Sequence, residues 1–187
     1  MSALRKAWLP PAVVFLAGIL MGLPTIRGGF VGGDDRQLVL NHVLVNHPSF
    51  EHAIKLFTIL HRDLYQPLPL LSFSLEFVVA DTLGLLDAGI ERAAWLFHLT
   101  NIVLHALNGL AVWYAVLLWH RILIRRHQTE SVNHSTDASA FSVEQTVALL
   151  AGLIFVLHPL QAEVVAWLNG RMMLLSTLFA VGSLIAL

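Results

Sequence analysis

The sequence predicts an all-α polytopic membrane helical bundle with a long external loop that contains interfacial helices. Of its 187 residues, 57% are hydrophobic and only 12% are charged, whereas a soluble domain carries about 25% charged residues. Four apolar runs approach the roughly 20 residues that a helix needs to cross a bilayer. This composition excludes a soluble enzyme and a disordered tail, and the net charge of −1 argues against nucleic acid as a partner. Because the chain has no cysteine, a disulfide framework and a cysteine-ligated zinc site are also excluded.

The predicted spans cover residues 8–26, 93–119, 142–158 and 172–187. Arg5 and Lys6 precede the first span, which we interpret as an uncleaved anchor, with a signal peptide as the alternative. His158-Pro159 interrupts the third span. The fourth span is still apolar at Leu187. We therefore expect the chain to be the N-terminal fragment of a longer multi-span protein.

Basic residues near the span ends predict the orientation of the chain in the membrane. Arg5 and Lys6 lie before the first span, and Arg121, Arg125 and Arg126 follow the second. Both groups are cytoplasmic if the long loop between these spans lies wholly on the other side. The prediction is thus a cytoplasmic loop at 121–142 and external loops at 28–92 and 158–171.

Two segments of the long loop are predicted to be helical. Residues 50–60 place apolar and polar side chains on opposite helical faces, as in a helix that lies in the membrane interface. Residues 68–80 are strongly apolar but too short to span, and they contain Glu76. A re-entrant or interfacial helix suits this second segment; if it crossed the bilayer, every later loop would change sides.

The long loop begins with a glycine-rich turn that leads into two adjacent carboxylates, Asp34 and Asp35. Glycines let a backbone come close to a substrate, so this pair can supply a general base or hold Mg²⁺ or Mn²⁺. The alternative is a solvated turn in which Asp35 caps a helix that starts near Gln37.

The 158–171 loop carries a second set of candidate residues. Glu163 lies among apolar residues, where an ionisable group usually has a partner or a task. Arg171 begins the next helix and is a suitable ligand for a phosphate group. The alternative is a Glu163–Arg171 or Asp–Arg ion pair that only locks helices together. Between the two predicted loop helices, Arg62 and Tyr65 add a cation and a phenol, although a surface turn explains them equally well.

The second span carries a polar stripe at positions i, i+3, i+7 and i+10, formed by His98, Asn101, His105 and Asn108. Such stripes face other helices or a cavity. Interhelical hydrogen bonding is the favoured interpretation, since the spacing supplies no third metal ligand.

Five motifs occur in order: Phe30-x-x-x-Asp34-Asp35, Tyr65-Gln66-Pro67-Leu68, Phe97-His98-Leu99-x-Asn101 with His105, His158-Pro159-x-x-x-Glu163, and Asn169-Gly170-Arg171. This order resembles the N-terminal half of the transmembrane-and-tetratricopeptide-repeat O-mannosyltransferases and their bacterial relatives, within the GT-C superfamily. The resemblance covers residues 28–187. The repeats that this family carries at its C-terminus are absent from the sequence.

The resemblance implies a glycosyltransferase whose active site lies on the external or lumenal face. It implies that Asp34, or alternatively Asp35, is the catalytic base and that Glu163 orients donor or acceptor. Arg171 would contact phosphate, and the further candidate substrate contacts are Arg62, Tyr65 and His158. One departure is Gln66, where relatives commonly have arginine.

The function expected from this resemblance is transfer of a mannose-like sugar from a polyprenyl-phosphate donor to an acceptor hydroxyl, usually on protein. The expected partners are the lipid-linked donor, a protein acceptor and membrane lipid. Analogy favours the bacterial plasma membrane over the endoplasmic reticulum. Two other functions stay open, a transporter or channel and a non-catalytic membrane anchor for a C-terminal interaction domain.

Overall fold

A computed structural model describes residues 3–30, 32–61, 63–87, 89–128 and 143–187, and in these ranges the regular structure is helical. The α-helices are α1 (Ala3–Gly22), α2 (Gly32–Asp35), α3 (Val43–Asn46), α4 (Phe50–Leu56), α5 (Pro67–Thr82), α6 (Ala94–Gln128), α7 (Val143–Leu157), α8 (Pro159–Ala166) and α9 (Arg171–Ala186). A π-helical turn and three 3₁₀ turns join them, at Arg36–Leu40, Leu23–Arg27, Ile90–Ala93 and Leu168–Gly170.

The long helix α6 lies at the centre of the bundle and packs against α1, α7 and α9, while α1 also packs against α7. Small residues allow this close approach. A Cβ atom added to Gly18 would lie 2.9 Å from the Ala106 Cα atom. A Cβ atom added to Gly152 would lie 2.9 Å from a methyl group of Val14. The glycines therefore set the distance between α1 and its two neighbours.

Among the described residues, three helical stretches are long and apolar enough to cross a membrane, at Trp8–Arg27, Ile90–Leu123 and Leu168–Ala186. The pair α7 and α8, bent by 55°, makes a fourth if it is counted as one broken span. Pro159 is the first residue of α8 and the His158 side chain caps that helix, which accounts for the position of the bend. The predicted all-α membrane helical bundle is confirmed, and the chain is an integral membrane protein.

Helix α6 continues to Gln128, so residues 121–128 of the predicted cytoplasmic loop are helical. The apolar run ends near the arginines, but arginine, leucine and isoleucine are compatible with a helix, which need not stop where its hydrophobicity ends. Residues 129–142, which make up the rest of that predicted loop, lie outside the described residues.

Segment 28–92 folds onto the bundle around a hydrophobic core of its own. Buried side chains from α3, α4 and α5 pack together with Phe97 near the start of α6. Helix α4 ends at Leu56, four residues before the predicted end, and Ser49 caps it by accepting a hydrogen bond from the His52 backbone N–H at 3.1 Å. Helix α5 is slightly longer than predicted and begins at Pro67, a favourable first helical position.

Candidate active site

A polar cavity of about 290 Å³ brings three distant parts of the chain together. Its lining residues are Asp34, Leu38, Leu64, Gln66 and Asn169. They come from the turn after the first span, from the approach to α5, and from the 3₁₀ turn before α9. The cavity therefore joins the two segments that the sequence predicts to be external loops.

The backbone around Asp34 is held in an uncommon conformation. Gly32 has a φ of 85°, in the left-handed region that favours glycine, and α2 begins at this residue. A π-helical turn follows directly, in which the Asn41 N–H donates to the Arg36 carbonyl oxygen at 2.8 Å. Single π-helical turns are often found at functional sites. This local geometry places the half-buried Asp34 carboxylate at the cavity.

Asp35 occupies a different environment from Asp34. It is 1% exposed and does not line the cavity. The alternative in which Asp35 caps a helix near Gln37 is wrong, because the helix begins at Gly32 and the Asp35 side chain makes no capping hydrogen bond. Of the two adjacent carboxylates, Asp34 is therefore the one that borders the cavity.

The described residues contain no group of three histidine, aspartate or glutamate side chains that could hold a metal ion. The adjacent carboxylates do not converge, since only Asp34 borders the cavity. Binding of Mg²⁺ or Mn²⁺ stays a prediction.

Arg171 is 0% exposed and is held by residues of two other helices. Its guanidinium donates to the Asn101 Oδ1 atom at 2.8 Å, to the Ser72 hydroxyl at 3.1 Å, to a Glu76 carboxylate oxygen at 2.7 Å and to the Phe97 carbonyl oxygen at 2.7 Å. It also lies 4.2 Å from the centre of the Phe73 ring. The four hydrogen bonds occupy most of the five N–H donors of a guanidinium.

This network bears on two expectations about Arg171. The ion-pair partner is Glu76, not Glu163. The side chain also has no exposed surface with which to contact a phosphate group, and it does not line the Asp34 cavity. The geometry gives Arg171 the function of fastening α5 and α9 to α6, directly next to the turn that carries Asn169.

The four side chains of the polar stripe are buried, and each hydrogen-bonds to a backbone carbonyl group of another segment. His98 donates to Gly29 at 3.2 Å, and His105 donates to Val156 at 3.1 Å. Asn101 donates to Trp167 at 3.1 Å, and Asn108 donates to Leu174 at 2.9 Å. The stripe therefore links α6 to the start of segment 28–92, to α7, to the turn before α9 and to α9 itself.

The other predicted site residues lie outside the Asp34 cavity. Glu163 is exposed on α8, and the exposed His158 accepts a hydrogen bond from the Leu160 N–H at 3.3 Å. Tyr65 is 61% exposed and donates to the Phe57 carbonyl oxygen at 3.1 Å. Arg62 lies outside the described residues. A larger cavity of about 610 Å³, between α3–α4 and α5, contains none of the predicted site residues.

Segment 28–92 also contains a histidine pair that was not predicted from the sequence. The His42 Nε2 and His61 Nδ1 atoms share a hydrogen bond. Burial lowers the pKa of His61, and burial followed by the neighbouring His61 charge lowers the pKa of His42. The folded chain therefore favours the neutral form of both rings.

Sequence reasoning also missed Gln66 and Asn169 as cavity residues and Glu76 as the partner of Arg171. Glu76 offered a signal, because a carboxylate inside an apolar helix usually has a buried partner. The two amides offered only their places in the Tyr65-Gln66-Pro67-Leu68 and Asn169-Gly170-Arg171 motifs, because an uncharged polar residue in a loop is otherwise ordinary.

Comparison with known proteins relates part of the chain to an enzyme. Over 84 residues, 44% of the chain, the sequence is 36% identical to the protein O-mannosyl-transferase Tmtc3 of Drosophila melanogaster. The similarity is to an O-mannosyl-transferase. The matched segment spans 9% of the length of that protein. No family model matches the chain, and no solved structure matches it.

Proposed function

We propose that the chain is part of a membrane glycosyltransferase of the GT-C type, related to the Tmtc3 type of protein. It transfers a mannose-like sugar from a polyprenyl-phosphate donor to an acceptor hydroxyl, with protein as the acceptor, at the external or lumenal face. The similarity to an O-mannosyl-transferase carries the class of reaction. The Asp34 cavity is the place in the described residues where the chemistry of that reaction fits best.

The proposed mechanism assigns Asp34 as the general base. An acceptor hydroxyl is a weak nucleophile, so a carboxylate within hydrogen-bond reach accepts its proton as the oxygen attacks the sugar carbon. The bond from that carbon to the phosphate oxygen breaks, and the lipid phosphate leaves with the electron pair. Gln66 and Asn169 line the same cavity and can hold sugar hydroxyl groups there.

Arg171 enters this proposal as a positioning residue. It fastens the start of α9, and therefore the turn that carries Asn169, to α5 and α6. Glu163 keeps the proposed role of orienting donor or acceptor, on the exposed face of α8. Arg62, Tyr65 and His158 remain candidates for contact with the phosphate or the acceptor.

The test is transfer of radiolabelled mannose from polyprenyl-phosphate mannose to protein, in membranes that contain the full-length protein. Asp34→Asn keeps the size of the side chain but removes the base, so transfer should fall by about 10²- to 10⁴-fold. Asp87→Asn is the control, because Asp87 is exposed and lies outside the cavity. Unchanged transfer in Asp34→Asn would overturn the assignment of the base, and absence of transfer in the unmodified protein would favour a membrane anchor.

A further inference from the structure

Gln66 is a buried amide whose polar atoms have no partner among the described residues. It is 3% exposed and immediately precedes α5. Neither its Nε2 nor its Oε1 atom has a hydrogen-bond partner in that part of the chain. Buried polar groups are nearly always hydrogen-bonded, so an amide that lacks both a donor and an acceptor partner needs an explanation.

The position of Gln66 supplies that explanation, because this residue borders two cavities that differ in polarity. One is the polar cavity with Asp34 and Asn169. The other is a groove of about 240 Å³ between the start of α5 and one face of α9. The further residues of this groove are Tyr65, Pro67, Leu68, Pro69, Met172, Leu175, Ser176 and Phe179.

The groove is suited to an apolar chain. Met172, Leu175 and Phe179 are spaced i, i+3 and i+7, so they form one face of α9 over about 10 Å of helix. The Ser176 hydroxyl is already bonded to the Met172 carbonyl oxygen at 2.7 Å and leaves little polarity in the wall. Since α9 is a candidate membrane span, a lipid chain can enter the groove from the bilayer.

The chemistry of the amide indicates the polar end of the ligand. A carboxamide offers N–H donors and a carbonyl acceptor side by side. A hydroxyl group accepts from one and donates to the other, and neighbouring hydroxyls on a sugar ring can satisfy both atoms together. A fully ionised phosphate only accepts and would leave the Oε1 atom without a partner.

We infer that Gln66 is a ligand-binding residue at the junction of the two cavities. Its amide exchanges hydrogen bonds with hydroxyl groups of an amphiphile whose head lies in the Asp34 cavity and whose chain lies in the groove along α9. The inference deepens the proposed function, on which it rests for the identity of the head as a sugar. It names Gln66 as the residue that binds the head, and it places the lipid chain in the groove along α9.

The experiment uses the absence of cysteine from the chain. A single cysteine at Ser176→Cys reports on the groove through its rate of reaction with a bilayer-soluble maleimide, in the full chain in lipid nanodiscs. Ser183→Cys is the matched control, because Ser183 is also exposed on α9 and bonded to its own helix but lies outside the groove. The probes are decyl mannoside, decyl phosphate, decanol and free mannose.

Decyl mannoside should slow the labelling at position 176 and not at position 183. The concentration for half-maximal protection should rise at least about tenfold in Gln66→Leu, because the amide is lost. Gln145→Leu should leave it unchanged, since Gln145 is half-buried and lines neither cavity. Gln66→Glu keeps the size of the side chain but loses the donor, so it should also weaken protection. It serves as a second test in case the leucine variant fails to fold.

Three results would overturn the inference. Equal protection by decanol would mean that the groove binds any apolar chain. Stronger protection by decyl phosphate than by decyl mannoside would exclude the hydroxyl assignment. Unchanged half-maximal concentrations in both Gln66 variants would mean that water satisfies the amide. If the protein transfers sugar but protection by decyl mannoside does not depend on Gln66, only this inference is overturned. If protection depends on Gln66 but the protein transfers no sugar, only the proposed reaction is overturned.

Discussion

A buried guanidinium is costly to desolvate, and at the residue scale Arg171 offsets that cost with four hydrogen bonds, one of them to a carboxylate. Because the partners come from α5 and α6, the charge acts as a specific fastening between elements that would otherwise be held by non-directional apolar contacts. The position of this fastening beside Asn169 connects it to the Asp34 cavity.

Replacement of Glu76 tests this fastening. Glu76→Gln leaves the Arg171 charge buried without its counter-ion, so the free energy of unfolding should fall by about 3–5 kcal/mol. Thermal unfolding in detergent measures the change. The control is Lys55→Met, which breaks the exposed pair between Lys55 and Glu51 and should leave the melting temperature unchanged. Equal stability of both variants would contradict the assigned role.

At the element scale, the turn Leu168–Gly170 determines how α8 meets α9. A Cβ atom added to Gly170 would collide with the Val164 carbonyl oxygen. The collision is with backbone, so rotation of a side chain cannot relieve it. The carbonyl groups of Trp167 and Leu168 accept hydrogen bonds from Asn101 at 3.1 and 3.4 Å, which ties the turn to α6 as well. The close approach at Gly170 therefore sets the position of Asn169 at the cavity.

Gly170→Ala should destabilise the chain by about 1–3 kcal/mol, as expected for overpacking of a close contact. Gly182→Ala is the matched control, because a Cβ atom at Gly182 meets nothing within 4 Å. This second variant should keep or raise the melting temperature, since alanine has the higher helix propensity. A melting temperature that falls equally in both variants would show that the contact at Gly170 carries no strain.

The histidine pair makes the connection between α3 and the segment before α5 sensitive to pH. The folded-state pKa values of His42 and His61 lie below the unfolded value of about 6.5. The unfolded chain therefore binds more protons as the pH falls below about 6.5, and this contribution to stability is full above that pH and is lost below it.

Hydrogen exchange of residues 42–61 should consequently speed up between about pH 7 and pH 5.5, after correction for the intrinsic pH dependence of exchange. His61→Asn should remove most of this pH dependence. The control is His134→Asn, at a sequence position outside residues 42–61, and this variant should keep the pH dependence. If residues 42–61 of the unmodified chain exchanged at the same corrected rate at pH 7 and pH 5.5, the lowered pKa values of His42 and His61 would be contradicted.

At the scale of the whole molecule, segment 28–92 and the turn before α9 meet at one end of the bundle, because Asp34 and Asn169 line one cavity. The predicted orientation requires the two segments to lie on the same side of the membrane, and that this side is the external one stays a prediction. The arrangement also makes segment 28–92 a folded cap with a hydrophobic core, rather than an extended loop.

Single cysteines test the orientation directly, since the chain has none of its own. With a membrane-impermeant thiol reagent on intact cells, Asp34→Cys and Glu163→Cys should be labelled and Ser135→Cys should not. Ser135→Cys should be labelled only after the membrane has been permeabilised. If positions 34 and 163 fell on opposite sides of the membrane, the shared site would be impossible and a transport pathway would become the better hypothesis.

The amino-acid sequence by itself determined the helical class, the membrane setting and the approximate helices, because hydropathy and helical periodicity are properties of neighbouring residues. Its glycine-rich turn also pointed to the adjacent carboxylates Asp34 and Asp35, and the family resemblance favoured Asp34 of the two. Only the tertiary structure decided that Asp35 is buried, that Arg171 pairs with Glu76 across 95 residues, and that Gln66 joins a polar cavity to an apolar groove. The partner of a polar side chain depends on which distant segments pack beside it, and local pattern does not carry that information.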